Sequence, residues 1–381
     1  METAEAVIIG GGVVGASIAY HMAKKGCSQV VLLEKNPMLG MESTGACVGG
    51  IRYQFSTEIN VRLSLLSRPR FLQFEEELGC DIGYRQHGYL FLATTPQKLE
   101  DLKDQVSLQR GLGVPTELLS RSEISERVPM ADLRDVLGGA YCPWDGSADP
   151  YQVTQGYAQG AKRLGAKIFT DREATGILLH HGAVQGVLTP RGRIATPIVV
   201  DVAGPFGALV GELAGIKLPM APFRRQVFLA QPPEEYPPGL PLVVDTQTEF
   251  YFKQEKEGFL LCRNLHEPSS FNKTLDWSSL DAVVEEALRW LPSFQEAQII
   301  GGWAGLRSLT PDHHAILGAI PAVTGFFCAI GFSGHGFMHS PATGQLVAEL
   351  ILEGRASSVD ISPLDCRRFE MSRLSQETQV F

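Results

Sequence analysis

Three glycines, Gly10, Gly12 and Gly15 in the run VIIGGGVVGASIAYHMAKKG, are spaced to hold a phosphate. The first permits a tight turn, the second lets main-chain N–H groups approach a pyrophosphate, and the third lets a helix pack closely on a strand. An anion there meets free N–H groups and the positive end of a helix macrodipole. Glu34 completes the pattern at the end of the next apolar run. Its carboxylate can accept hydrogen bonds from ribose hydroxyls and would repel the additional phosphate of NADP. This is dinucleotide chemistry, and the turn alone does not choose between NAD and FAD.

These groups need a scaffold. AVIIG (6–10) reads as a buried strand, residues 13–25 as a helix, and VVLLEK (30–35) as a second buried strand. That order is a βαβ unit and predicts a parallel sheet. Residues 57–79 carry helical spacing, with a kink expected at Pro69. Residues 82–94 read as a strand pair and 96–110 as an amphipathic helix. Asp149 and Pro150 suit the N-cap and first position of a helix over 149–165. IVVDVAG (198–204) reads as another buried strand followed by a short helix, and PPEEYPPGLP (232–241) as a surface loop. GFFCAIG (325–331) reads as a strand, and 340–354 as a helix with Ser340 as N-cap and Pro341 at N1.

Rossmann-like pieces thus recur at the beginning, middle and end of 381 residues, a length that suits two intergrown lobes. The expected fold class is α/β, or α+β in two lobes. A discontinuous nucleotide-binding domain (1–81, 141–219 and 301–381) would carry a second domain inserted as 82–140 and 220–300.

A formal net charge of −9 argues against nucleic acid as a partner, because phosphate neutralisation needs basic surface. The 7 cysteines include no CxxC pair, which points to reduced, scattered thiols and no zinc site. METAEA leads into an apolar strand without a basic flank, and no apolar run approaches the roughly 18 residues of a membrane span. The expectation is a cytoplasmic protein with no metal and no membrane span.

The choice of cofactor turns on the other end of the chain. A second glycine-rich turn, IGFSGHGFMHS (330–340), precedes the last helix. A helix N-terminus aimed at a flavin would stabilise the anionic reduced ring, so this arrangement favours FAD. Five blocks then carry a family resemblance: GGGVVG with Glu34, STGACVGGIR (43–52), VVDVAGPFG (199–207), GWAGLRSLTPDHHAILG (302–318) and GFSGHGFMHSPATGQLVAELI (331–351). Together they resemble the D-amino-acid oxidase/sarcosine oxidase/glycine oxidase family of FAD-dependent oxidoreductases, including its sarcosine oxidase β-subunit-like and FAD-dependent oxidoreductase domain branches.

The resemblance implies a Rossmann-like FAD-binding domain with an inserted antiparallel-sheet substrate domain, and oxidation of a C–N bond by hydride transfer to flavin N5. The substrate would be an amino acid or N-alkyl amino acid (glycine, sarcosine or proline type). The cofactor contacts it implies are Gly10, Gly12, Val13, Val14 and Gly15 in the first turn, with Glu34 and Lys35 after the second strand. Ser43, Thr44 and Gly50 follow in the loop, then Ala203 and Gly204, Gly305 and Arg307, and Gly334, His335, Gly336 and Phe337. Arg307 stands where the family's glycine oxidases clamp the substrate carboxylate, a task suited to a guanidinium fork. Arg52, Tyr251, Lys253 and His335 are the other candidates at the reacting end. His313 and His314 read as a loop near the cofactor, since adjacent histidines do not make a closed metal site.

Departures narrow this reading. Gly305 occupies the place of the flavin-linked cysteine of monomeric sarcosine oxidases, and Met338 that of their carboxylate-binding lysine. No histidine in 43–50 matches a covalent flavin attachment, so non-covalent FAD is expected. The alternatives are a non-catalytic flavoprotein subunit of an assembly, or oxidation of a 2-hydroxy acid or polyol phosphate. Branches of the family work in complexes, so a partner subunit or a homo-oligomer stays open.

Overall fold

The computed structural model describes residues 2–370 and 374–381. Alternation along the first strands feeds two separate cores. From Ala6–Ile9 and Val30–Leu33, the side chains of Ala6, Ile8, Val30 and Leu32 enter one cluster, and those of Val7, Ile9, Val31 and Leu33 enter another. Buried on both faces, these segments carry unbroken apolar runs. The six-stranded sheet has the order Ile316–Ala319, Phe326–Ile330, Val199–Asp201, Ala6–Ile9, Val30–Leu33, Lys167–Phe169. Its pairings are parallel except for the hairpin of the first two strands.

Helices Val13–Lys24, Pro150–Arg163 and Gly336–Glu353 cover one face of that sheet. Helices Val13–Lys24 and Gly336–Glu353 meet at near-backbone distance, since a Cβ on Gly344 would lie 2.8 Å from the Ser17 carbonyl carbon. The other face packs on a four-stranded sheet of Glu2–Thr3, Gly192–Ala195, Ala183–Thr189 and Gly176–His180, through Val184, Val187 and Ile194. The sequence reading did not separate this layer. Its strands are short and half exposed, and a β-bulge at Leu178/Leu179 interrupts their register.

The larger sheet has eight strands, in the order Gln298–Leu309, Ala221–Gln231, Gly258–Cys262, Tyr251–Glu255, Leu242–Asp245, Tyr89–Ala93, Gly138–Cys142, Glu117–Leu119. All its pairings are antiparallel except Leu242–Asp245 with Tyr89–Ala93. Alternation again splits the faces. Leu90, Leu92, Phe228 and Phe252 pack under helix Leu280–Trp290, whereas Tyr89, Phe91, Val227 and Tyr251 point the other way. Among the described residues no helix is long and apolar enough to cross a membrane.

Several local expectations change. Residues 82–88 form no strand of their own, only an isolated bridge between Arg85 and Ser147, so 82–94 holds one strand and not a pair. Pro69 lies inside helix Glu58–Leu72, and the break comes later, at Gln73. The last helix begins at Gly336 with His335 as its cap, not at Ser340–Pro341. Pro341 cannot donate to the Phe337 carbonyl, but the Ser340 hydroxyl does so at 2.8 Å, which lets the helix run through. The expected boundary at 300 falls within Gln298–Leu309, a strand of the eight-stranded sheet, and the boundary at 140 falls within Gly138–Cys142.

One buried carboxyl makes stability depend on pH. Asp201 has no exposed surface, its Oδ1 accepts from the Ala203 amide at 3.0 Å, and its Oδ2 has no partner. Burial pushes its carboxyl up to about 8. The stability of the neutral form is therefore present below about pH 4 and lost as pH rises through about 8. Asp201→Asn stays neutral throughout, and Asp145, also raised by burial to about 7, is common to both proteins. The melting temperature of the variant should gain on that of the parent between about pH 5 and about pH 9. A constant difference over that range would refute the assignment.

Candidate functional site

One cavity of about 570 Å³ runs from the glycine turn of the parallel sheet to the face of the eight-stranded sheet that carries Tyr89, Val227 and Tyr251. Gly10, Gly12, Val13, Val14, Glu34, Lys35, Ser43, Thr44 and Gly50 all line it. So do Ala203, Gly204, Gly305, Gly334, His335, Gly336 and Phe337, together with Arg52, Tyr251 and Arg307. Two expected residues do not. Gly15 lies behind the wall, where a Cβ would come 2.0 Å from the Gly10 carbonyl oxygen. Lys253 turns away: its ammonium donates to the Val48 carbonyl at 2.9 Å and pairs with Glu255, so it backs a wall loop.

At the glycine end, Gly10 takes φ 122°, and a Cβ there would lie 2.5 Å from the Val202 carbonyl oxygen. Gly12 caps helix Val13–Lys24 in extended conformation, with no acidic residue in the first turn. Glu34 is buried. Its Oε2 accepts from the Gly11 amide at 2.7 Å, and its Oε1 accepts from the amide and the side-chain nitrogen of Asn36, each at 2.8 Å. A carboxylate offers about four acceptor sites, so capacity for one further donor remains. The Thr44 hydroxyl accepts from the Val13 amide at 3.2 Å, and the Ser43 hydroxyl donates to the Leu306 carbonyl at 2.6 Å. These two residues tie the loop after the second strand to the start of the first helix and to the eight-stranded sheet.

At the other end three guanidinium groups converge. Arg52 is buried, donates to the main-chain oxygens of Gln54 (2.6 Å) and Gln379, and lies over the rings of Phe55 and Phe381. Burial pushes it down to about 10. Arg307, on Gln298–Leu309, donates to the main-chain oxygen of Phe381 and lies against the second glycine turn. Gly334 makes that approach possible, because it adopts φ 96° and a Cβ would lie 2.9 Å from Arg307 Nε. Arg225, on the neighbouring strand, is the third. Among the described residues none of the three has an aspartate or glutamate carboxylate within ion-pair distance, and the oxygen that Arg307 meets belongs to the last residue, Phe381.

His335 is fully enclosed, stands edge-on to Phe55, and its Nε2 has no partner. Burial, then repulsion from Arg52, holds its imidazole well below the ordinary histidine range, so it is neutral at working pH. His313 and His314 do not line the cavity. Their ring nitrogens engage the Glu377 and Asp312 carbonyls and the Thr57 hydroxyl, while Asp312 pairs with Arg368 at 2.7 Å. They brace the C-terminal segment, which corrects their placement beside a cofactor.

Sequence reading missed Arg225, Tyr89 and Phe381. The pattern PFRRQVF contains a usable signal: alternation must send Arg224 and Arg225 to opposite faces of a strand. Which face meets a cavity, and that Phe381 closes its wall against Phe91 and Tyr251, depends on contacts remote in sequence.

Known proteins agree with this architecture. The family described as DAO, FAD dependent oxidoreductase, matches residues 5–350. Human mitochondrial dimethylglycine dehydrogenase is 30% identical over 100% of this chain and 46% of its own length. Human mitochondrial sarcosine dehydrogenase is 31% identical over 97% of this chain and 42% of its own length. The chain thus spans less than half of these curated relatives. The crystal structure of L-proline dehydrogenase from P. horikoshii superimposes with a TM-score of 0.92 at 34% identity, covering 98% of this chain and 99% of that one. By motif, fold and family match, the chain belongs to the DAO family of FAD-dependent oxidoreductases.

Proposed function

We propose that the chain oxidises the C–N bond of an amino acid or N-alkyl amino acid of glycine, sarcosine or proline type, with the substrate carboxylate held by Arg307. The observation that carries this reading is a guanidinium on the cavity wall that pairs with no aspartate or glutamate among the described residues and whose bonded contact is an oxygen of the last residue, Phe381. A charge enclosed in that way calls for an anion. The activities named for the similar proteins, on dimethylglycine, sarcosine and proline, support the same substrate class.

The residues present fit FAD. Two helix N-termini, at Val13 and Gly336, open on the one cavity, and neither helix has an acidic residue in its first turn. Gly12 and Thr44 would hold the pyrophosphate against the first, and the spare acceptor capacity of Glu34 would take a ribose hydroxyl. Gly334, Gly336 and Phe337 would meet the ring at the second, where the dipole favours negative charge. Gly305 offers no thiol for a covalent link, and Met338 offers no amine to the substrate carboxylate, which leaves that task to Arg307. The chemistry FAD would supply when bound is acceptance of a hydride from the carbon next to a neutral amine nitrogen, which leaves an iminium that water hydrolyses.

The protein's own contribution is orientation and exclusion of water. Arg307 fixes the carboxylate in a bidentate fork, Tyr89 and Tyr251 wall the reacting end, and Phe381 closes it. His335 is held neutral, so it adds no charge beside the guanidinium cluster. No side chain needs to take a proton if the amine arrives neutral. A cavity of this size with unpaired cations favours catalysis over a purely structural flavoprotein, which would need no such opening.

Anaerobic mixing of the yellow protein with sarcosine, glycine, proline, N-alkyl amino acids and matched 2-hydroxy acids tests the reading. Bleaching of the flavin band near about 450 nm by the amines alone is expected. Bleaching by hydroxy acids alone would overturn it. Arg307→Met should lower kcat/KM roughly a hundredfold and weaken carboxylate inhibitors in parallel, while flavin content persists. Glu34→Ala should instead raise the FAD dissociation constant by at least about tenfold, read from flavin fluorescence on dialysis. Full flavin retention would remove Glu34 from the cofactor site.

A further inference from the structure

We propose that Arg225 is a second anion-binding group, and that the preferred substrate is an amino acid with two carboxylates, one on Arg307 and the other on Arg225. This rests on the reading of Arg307 given above and refines its substrate class.

The argument begins with sheet register. Arg225 on Ala221–Gln231 stands opposite Gly305, and Phe223 stands opposite Arg307. Directly opposed residues share a face, and so do residues two apart, so Arg225 and Arg307 are diagonal neighbours on the face that walls the cavity. Diagonal positions lie roughly 7–8 Å apart, close enough for both cations to meet one small molecule and far enough for each to hold its own carboxylate.

Two like charges on one enclosed face repel each other, and among the described residues no aspartate or glutamate pairs with either. Arg225 donates to the Arg224 carbonyl at 2.9 Å, while its Nε is buried without a partner. The acids that act on it from neighbouring elements are Glu249 and Glu267, and both are engaged elsewhere. Glu267 pairs with Arg224 at 2.7 Å and accepts from Gln226, and Glu249 accepts from Asn264. Burial first, and Arg307 second, push Arg225 down to about 10, so it is still charged at neutral pH. The carboxylates that do line the cavity, Glu34, Glu42 and Glu173, belong to the parallel-sheet end.

Arg52 does not fill this role. Its guanidinium is bonded to the oxygens of Gln54 and Gln379 and sits between two phenyl rings. Arg225, by contrast, has a buried Nε that donates to nothing. An arginine without an anion is costly in such a place, and a second substrate carboxylate is the group that relieves it.

Two thioethers without an amine to oxidise separate the possibilities. Thiodiacetate carries two carboxylates and methylthioacetate one, and binding of each to the holoenzyme is read from perturbation of the flavin spectrum. The parent protein should bind thiodiacetate at least about tenfold more tightly, as expected for a second charge-assisted pair. Arg225→Met should abolish that preference and leave methylthioacetate binding unchanged, and Arg225→Lys should keep part of the preference. Equal affinities in the parent protein would overturn the proposal, and that comparison stands even if a variant fails to fold. Equal weakening of both ligands in Arg225→Met would also overturn it, since one carboxylate would then bridge both arginines. If neither ligand perturbs the parent's flavin, the reading of Arg307 itself fails.

Discussion

No side chain fits between the carbonyl of Gly10 and the α-carbon of Gly15, and the rest of the site depends on that contact. A Cβ on Gly15 would overlap the oxygen at 2.0 Å, and one on Gly10 would crowd Val202 at 2.5 Å. Because both are absent, helix Val13–Lys24 starts directly over the ends of two parallel strands, and its free N–H groups open on the cavity. Glu34 then reaches back to the Gly11 amide and locks the turn. The turn, the acid and the helix form one unit, held by backbone proximity more than by side-chain packing.

The second constraint is electrostatic. Arg52, Arg225 and Arg307 gather at one end of the cavity, whereas Glu34, Glu42 and Glu173 lie at the other beside Lys35 and Arg172, although the chain as a whole carries a formal charge of −9. Arg52 is engaged by main-chain oxygens and aromatic faces. Arg307 and Arg225 are less completely satisfied, and they project from adjacent strands of a long antiparallel pair that holds them in fixed register. A sheet is a suitable mount for this purpose, because its ladder resists the repulsion between the two charges.

The strand Gln298–Leu309 joins these two constraints. It forms one edge of the eight-stranded sheet, and the chain then returns to the parallel sheet through Ile316–Ala319 and Phe326–Ile330. Arg307 therefore stands where the sheets meet, against a turn whose Gly334 leaves room for its guanidinium. The last helix begins in that same turn. The proline that suggested a later start is accommodated because Ser340 takes over the carbonyl that Pro341 cannot serve.

The sequence by itself determined the glycine turn with Glu34, the doubly buried parallel strands, the capped helix at Asp149–Pro150 and the second glycine turn. Each is written in local spacing, as a fixed offset or a short apolar period that does not depend on distant residues. It also placed Arg307 and most of the cavity wall, through blocks whose order spans the chain. Only the tertiary structure decided that Lys253 turns away, that His313 and His314 brace the C-terminal segment, and that Arg225 and Phe381 reach the site. The physical reason is that strand register and sheet stacking, set by contacts between residues far apart in the chain, select which face of a strand meets the cavity, and a shift of one residue reverses that choice.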